Sequence, residues 1–156
     1  MTSRERVLSA IAHRQPDRVP LDLGATPSSG MSASAYHRFK ADLGLAELPT
    51  CVYDVVQQLA QPDVKILDAI GADVLDVGRV FNDTAADWSP AVLPDGTSAC
   101  YPAWFHPRHD ADGGWPAFAR DGSTIAHMPA GAAFFDQTCF PFEDGYPATF
   151  AGLAFK

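Results

Sequence analysis

Two carboxylates stand near the ends of two short apolar segments of the chain. Asp22 lies in VPLDLG, residues 19–24, and Asp76 lies in DVLDVG, residues 73–78. In barrel and doubly wound folds, groups at the carboxyl ends of parallel strands face the pocket. We therefore predict that Asp22 and Asp76 are catalytic, as a general acid or base or as the partner of a substrate cation. The alternative is that they only hydrogen-bond loop amides or pair with Arg79.

A loop of small polar residues, 24–32, follows the first of these segments. Glycines and short hydroxyl residues let backbone N–H groups approach a ligand, and a helix that begins after them favours an anionic group. The alternative is that the hydroxyl residues only cap and turn the chain. The predicted substrate-binding residues are Gly24, Thr26, Ser28, Ser29, Gly30 and, after the second segment, Arg79.

The stretch HPRHD, residues 106–110, is a weaker candidate for chemistry. Its His106, His109 and Asp110 are metal-ligand types, but a proline intervenes and no cysteine stands nearby, which is unlike a zinc site. We interpret the stretch as a solvated loop and predict no metal ligands in this chain. The chain also has none of the motifs G-x-S-x-G, the Walker loop, G-x-G-x-x-G or H-E-x-x-H.

The N-terminal residues predict a helix. Thr2 and Glu5 have the spacing of a capping box, and Val7, Leu8 and Ile11 share one helical face. The basic residues that follow suit the helix C-terminus electrostatically, and a proline then stops the helix.

Two further helices alternate with the two apolar segments. Residues 33–43 predict an amphipathic helix that ends at Gly44, and Pro62 begins another that ends at Gly71. Residues 50–61 fit either a helical turn or a strand. Because a helix twice accompanies a short apolar strand, the order is that of βα repeats around a parallel sheet. The fold class predicted is α/β.

The composition changes from about residue 88. Asp-Gly pairs at 95, 112 and 121 predict turns. We predict βα units over 1–87, an inserted antiparallel meander of about four short strands over 88–136, and a tail over 137–156. Four aromatic residues are interpreted as the core of the insertion: Trp88, Trp104, Phe105 and Trp115.

Composition restricts the class of protein. The 156 residues, 47% of them hydrophobic, are enough for one folded domain. The chain has no long apolar run and no apolar leader, its number of cysteines is odd, and it has no CxxC pair. We therefore expect a cytoplasmic protein. The net charge of −8 argues against nucleic acid as a partner. We expect a small-molecule substrate and no membrane partner.

Four stretches together resemble the N-terminal part of the uroporphyrinogen decarboxylase family. They are TSRERVLSAIAHRQPDRVPLDLG, VYDVVQQLAQPDVKILDAIGADVLDVG, LPDGT and FDQT, and the resemblance covers residues 2–143. The family includes porphyrinogen decarboxylases and methyltransferases that pass methyl groups to or from corrinoid proteins. The resemblance implies a (β/α)8 barrel, of which this chain would supply only two or three βα units.

The chain departs from the decarboxylase branch after its first segment. That branch carries a Pro-x-Trp-x-x-Arg-Gln-Ala-Gly-Arg run whose arginines bind the substrate's carboxylates. With Pro20 aligned to its proline, Asp22 stands at the tryptophan, and Ala25 and Ser29 stand at the arginines. The resemblance therefore favours the corrinoid-linked methyltransferase branch, whose zinc ligands belong to the second half of the barrel.

Three functions follow as alternatives. The first is the N-terminal segment of a methyltransferase that acts on a small methylated metabolite; zinc and a corrinoid protein would then act only with the second half of the barrel. The second is a porphyrinogen decarboxylase of haem biosynthesis, which needs no cofactor. The third is a non-catalytic half-barrel subunit or interaction module. Because an incomplete barrel exposes strand edges and apolar helix faces, we expect a homo-oligomer or a second half-barrel as partner.

Overall fold

A computed structural model describes residues 1–77, 82, 84–119, 121–140, 143 and 145. These residues combine α-helices and β-strands. The helices are α1 (Ser3–Ile11), α2 (Ala33–Asp42) and α3 (Val64–Ile70). None of the described helices has the length and apolar character needed to cross a bilayer.

The ends of α1 and α3 follow from local sequence. Thr2 and Glu5 form the predicted capping box of α1, with each side chain bonded to the other's backbone N–H. The side chain of Asp63 caps α3, and Gly71 ends it in the left-handed conformation at φ 66°. Pro62 therefore stands before the cap rather than inside the helix, and the predicted start of α3 was two residues too early.

The predicted apolar face of α1 is not the buried one. Leu8 and Ile11 are 49% and 69% exposed, whereas Arg6 and Ser9 are buried. The helix turns its polar side inward because Arg6 reaches two aspartates, Asp17 and Asp73, that are distant in sequence.

Residues 50–61, which fitted either a strand or a helical turn, form a short hairpin. Strand β1 (Val52–Asp54) pairs antiparallel with β2 (Leu59–Ala60). Asp54 Oδ1 accepts the N–H groups of Val56 and Gln57 at 3.1 and 2.8 Å, and Gln58 takes the left-handed conformation at φ 55°. These interactions close the turn.

The region from residue 88 onward is antiparallel, as predicted, but it forms two sheets instead of one meander. Strand β3 (Trp88–Val92) pairs with β4 (Ser98–Pro102), and β5 (Trp115–Phe118), β6 (Thr124–Met128) and β7 (Asp136–Gln137) form a three-stranded sheet. The Asp-Gly pairs at 95 and 121 turn the chain between paired strands. The pair at 112 precedes β5.

One hydrophobic core joins α2, α3, the β1–β2 hairpin and both larger sheets. Tyr36, Val52 and Ile66 have no exposed surface, and Phe105 packs edge-on against Tyr101 and Phe135. The prediction of a buried aromatic set was correct for Phe105 but wrong for Trp104, which is 61% exposed.

Neither predicted strand of the first 77 residues forms a regular ladder. Residues 19–24 and 72–77 carry no strand, although the Asp73 N–H donates to the Leu21 carbonyl at 2.7 Å. Pro20 has no N–H, and the N–H of Leu21 is taken by the Asp73 side chain, so the ladder cannot extend along this edge. Residue 78 of the second predicted strand lies outside the described residues. The described residues form small antiparallel sheets and no closed barrel.

Candidate functional site

A cleft of about 230 Å³ opens where the two apolar segments end. Three parts of the chain form its wall: the turn after the first segment, the start of α3 and the second segment. Backbone contact between Leu21 and Asp73 brings the two segments side by side. The lining side chains are mostly apolar and include Leu23, Val64, Leu67, Val74 and Leu75.

Gly24 forms part of this wall, at a position where only a glycine fits. It is buried, it has φ 75°, and a Cβ added to it would stand 2.7 Å from Cγ of Pro62. The backbone of the loop thus touches Pro62, the residue that leads into α3, and both residues line the cleft.

The rest of the predicted loop bonds to itself. The N–H groups of Gly24 and Gly30 donate to the carbonyls of Ser29 and Pro27 at 2.9 and 3.1 Å. The hydroxyl of Ser29 accepts the Thr26 N–H at 3.3 Å and donates to the Thr26 carbonyl at 3.1 Å. The 3₁₀ turn Pro27–Ser29 results. These backbone N–H groups, predicted to approach a ligand, are therefore occupied within the loop.

The remaining predicted loop residues lie outside the lining of the cleft. Thr26, Ser28, Ser29 and Gly30 are absent from its wall. Gly30 instead packs against the side chain of Leu59, with a Cβ position 2.7 Å from Cδ1 of that residue. Gly24 is the predicted substrate-binding residue that the structure brings to the cleft.

The two predicted catalytic carboxylates lie in different settings. Asp76 lines the cleft and is exposed to solvent. Asp22 is also exposed but does not line the cleft; its Oδ1 accepts the Ala25 N–H at 3.0 Å and so holds the turn that contains Gly24. Arg79, the predicted cation of the site, lies outside the described residues.

Gln61 is a lining residue that sequence reasoning missed. Its backbone N–H donates to the Cys51 carbonyl at 2.7 Å, while its side-chain Oε1 is buried and has no hydrogen-bond partner among the described residues. A buried acceptor without a partner is costly unless something donates to it. Nothing in the sequence marks a glutamine beside a predicted helix start as a site residue, because Gln61 lines a cleft only where both apolar segments pack next to it.

A cluster of charged side chains joins the two segments that line the cleft. The carboxylate of Asp73 has no exposed surface and receives hydrogen bonds from Arg6, from Arg18 and, at 3.0 Å, from the Leu21 N–H. Although burial opposes ionisation, these donors outweigh it and lower the pKa of Asp73 to about 2. The carboxylate is thus charged at neutral pH and ties α1 to both segments.

Asp17 extends the same cluster. Arg6 donates to both of its oxygens, at 2.6 and 3.0 Å. This two-point contact holds the pKa of Asp17 well below, and that of Arg6 well above, their ordinary values. Arg6 bonds both aspartates, and both stay ionised at neutral pH, so the cluster is unsuited to proton transfer. Its role is to hold in place the segments that line the cleft.

A second cleft, of about 340 Å³, lies between the start of α2 and the sheet containing β6. Gln58, Asp95 and Met128 are among its lining residues. Gln58 is held in its left-handed conformation by two short bonds: its Oε1 accepts the Tyr101 hydroxyl at 2.5 Å, and its Nε2 donates to the Val55 carbonyl at 2.5 Å. The polar atoms of Gln58 are thereby used within the fold.

One histidine of HPRHD packs against strand β5. His109 packs edge-on against Trp115 with ring centres 5.0 Å apart, and Asp110 Oδ1 accepts the N–H groups of Asp112 and Gly114. Within the described part of the chain, no group of three or more His, Cys, Asp or Glu side chains is arranged to hold a metal ion.

Comparisons with protein-family models, curated proteins and solved structures find no match.

Proposed function

We propose that this chain is the N-terminal segment of a uroporphyrinogen-decarboxylase-type barrel of the corrinoid-linked methyltransferase branch. Its substrate is a small methylated metabolite that binds in the cleft beside Gly24. The observation that carries the proposal is the position of this cleft, at the shared end of two adjacent apolar segments. In a complete barrel these segments would be the first two strands, and the carboxyl ends of barrel strands form the substrate site.

The lining of the cleft favours a small, partly apolar ligand. A volume of about 230 Å³ lies below the range of roughly 300–1,000 Å³ typical of drug-sized ligands. Apolar side chains such as Val64 and Leu75 suit methyl groups, and no Lys or Arg is among the described lining residues. A porphyrinogen with eight carboxylates would need several cations, so its decarboxylation is the less favoured reaction.

Two polar groups give the ligand an orientation. Gln61 lines the cleft, and a rotation of its side chain brings the buried Oε1 to an N–H or O–H of the substrate, which removes the cost of its unpartnered burial. The carboxylate of Asp76 at the cleft favours a positively charged group such as a protonated methylated amine. Asp22 acts through the turn that holds Gly24 in place.

Methyl transfer in this branch uses zinc, which activates the atom that carries or receives the methyl group, and a corrinoid protein. The described residues offer no group of ligands for zinc. In this proposal the ligands belong to the second half of the barrel. This chain's residues bind and orient the substrate.

The exposed apolar residues favour a partner that completes the fold. Val19 and Val77, in the two segments, are 83% and 94% exposed, and Ile11 of α1 is 69% exposed. Exposed apolar side chains on neighbouring segments suit a second half-barrel or another copy of the chain. Sedimentation over a range of concentrations tests this part, and a monomer at all concentrations would contradict self-association.

Binding measured by saturation-transfer NMR tests the ligand class. Methylated amines and alcohols should receive magnetisation from the chain, and Gln61→Leu should weaken their binding several-fold because it removes the acceptor. Gln137→Leu is the matched control, since Gln137 is exposed on β7, away from the cleft. If no methylated compound binds while uroporphyrinogen binds and loses carboxylates, the decarboxylase alternative replaces the proposal.

A measurement of turnover distinguishes the non-catalytic alternative from the enzyme. The chain, together with a complementary half-barrel and a corrinoid protein, should demethylate the compound that binds. Binding without turnover in that reconstituted mixture would favour an interaction module.

A further inference from the structure

Two of the three cysteines are neighbours in the fold although they are far apart in sequence. Cys51 directly precedes β1, and Cys100 lies in the middle of β4. The two form an isolated parallel bridge, in which the Cys100 N–H donates to the Thr50 carbonyl at 2.8 Å. Bridged residues stand about 4.7–4.9 Å apart, which lies within the separation of roughly 4.4–6.8 Å between the Cα atoms of a disulfide.

Their side chains also share one side of the bridge, since directly paired residues of neighbouring strands point to the same face. Both side chains are half-buried, and both cysteines are free thiols. The geometry thus brings two thiols together between the β1–β2 hairpin and the β3–β4 sheet.

We propose that Cys51 and Cys100 form a reversible disulfide when the chain meets a low-molecular-weight disulfide such as oxidised glutathione. The Cys100 thiol first gives its proton to water, and its thiolate attacks one sulfur of oxidised glutathione; the glutathione S–S bond breaks, and one glutathione leaves as a thiolate that takes a proton from water. Cys51 then attacks the Cys100 sulfur and releases the second glutathione thiol. Two protein thiols are oxidised and one glutathione disulfide is reduced.

The order of these steps follows from the poor reactivity of Cys51 as a first nucleophile. Desolvation raises the pKa of Cys51 to about 11, so its thiolate is scarce at neutral pH. Cys100 therefore reacts first with the external disulfide. Cys51 reacts second, when the mixed disulfide already lies beside it.

The disulfide would join two parts of the fold that are otherwise held by non-covalent contacts. It closes a loop from residue 51 to residue 100, and long closed loops restrict the unfolded chain most. The thermal midpoint of the oxidised chain should exceed that of the reduced chain by roughly 5–15 °C. Cys139, which is exposed beyond β7, provides an internal comparison.

Peptide mapping without reductant tests the proposal directly. Trypsin places Cys51 in peptide 41–65, Cys100 in peptide 80–108 and Cys139 in peptide 121–156. After treatment of the folded chain with oxidised glutathione, the first two peptides should appear as one cross-linked species that disappears on reduction. Peptide 121–156 should carry at most a glutathione adduct.

Two variants sharpen the result. Cys139→Ser should keep the cross-link and the rise in thermal midpoint. Cys51→Ser should abolish both and leave Cys100 joined to glutathione. Separate glutathione adducts on Cys51 and Cys100, or a cross-link from either one to Cys139, would overturn the proposal. If Cys51→Ser fails to fold, the map of the natural sequence decides the question by itself.

Discussion

Two hydrogen bonds join Asp73 and Leu21. The Asp73 N–H donates to the Leu21 carbonyl at 2.7 Å, and the Leu21 N–H donates to Asp73 Oδ2 at 3.0 Å. The first is a bond between two backbone groups, as in any strand ladder, whereas in the second a side chain takes the place of a backbone acceptor. One residue thereby aligns two segments that are too irregular to form a sheet.

We expect Asp73→Asn to destabilise the chain markedly. An amide keeps the shape and one acceptor but removes the buried negative charge, so that Arg6 is left with Asp17 as its acidic partner and the half-exposed Arg18 loses its ion pair with Asp73. The urea midpoint of unfolding should fall well beyond experimental error. Asp68→Asn is the control, because Asp68 is exposed on α3 and should leave the midpoint nearly unchanged. Equal midpoints for the two variants would contradict the structural role of Asp73.

Stability should also fall in acid. The pKa of Asp73 is about 2 in the folded chain against an ordinary value of 3.8, so the unfolded chain binds the proton more tightly. Its contribution to stability is therefore present above about pH 4 and is lost as the pH falls through about 2. Asp17, whose pKa is also lowered, acts in the same direction.

Urea midpoints measured from pH 6 down to pH 2 check this expectation. The natural chain should lose stability steeply below about pH 4, and Asp73→Asn should show a flatter profile. Parallel profiles for the two chains would show that another group controls the acid transition.

Local signals were read correctly where the interactions are themselves local. The capping box of Thr2 and Glu5, the helix end at Gly71 and the turn at Asp95 each involve neighbours within about four residues along the chain. Such features depend on nothing that the rest of the fold must supply, so sequence alone is sufficient to predict them.

Features set by distant partners were missed. The face of α1 was predicted from apolar spacing, yet Arg6 is drawn inward by Asp17 and Asp73. The strand ladder at residues 19–24 was predicted from composition, but its N–H groups are absent at Pro20 and diverted at Leu21. In both cases an ion pair or side-chain bond across the fold outweighed the local pattern.

The candidate site was predicted in part for the same reason. Gly24 and Asp76 reach the cleft because each lies near the end of an apolar segment, and the sequence alone shows that position. Gln61 lines the same cleft through a backbone bond to Cys51 and the approach of α3. No short motif encodes that arrangement.

Gly24→Ala should destabilise the chain by about 2–4 kcal/mol, since it combines a left-handed backbone with a clash. The added Cβ would stand 2.7 Å from Cγ and 3.0 Å from Cδ of Pro62. Gly44→Ala is the matched control: its φ is 72°, close to the 75° of Gly24, but nothing lies within 4 Å of its Cβ position.

The difference between these two alanine variants isolates the contact with Pro62. Gly44→Ala should cost about 1 kcal/mol or less, because the strain of its backbone is partly offset by a less flexible unfolded chain. Chemical denaturation measures both values. If the two variants lose the same stability, Gly24 is needed only for its backbone conformation, and the close approach to Pro62 does not shape the cleft.

Tyr101→Phe should cost about 1–3 kcal/mol, because it leaves a buried acceptor without its donor. The Tyr101 hydroxyl donates to Gln58 Oε1 at 2.5 Å, and Gln58 is itself buried in a left-handed turn. Burial also raises the pKa of Tyr101 to about 12, so the phenol remains a donor across the physiological range.

A double-mutant cycle that combines Tyr101→Phe with Gln58→Met separates the energy of this hydrogen bond from that of packing. Removing both partners should cost less than the sum of the single changes, and strict additivity in urea unfolding would show that the two side chains do not stabilise each other.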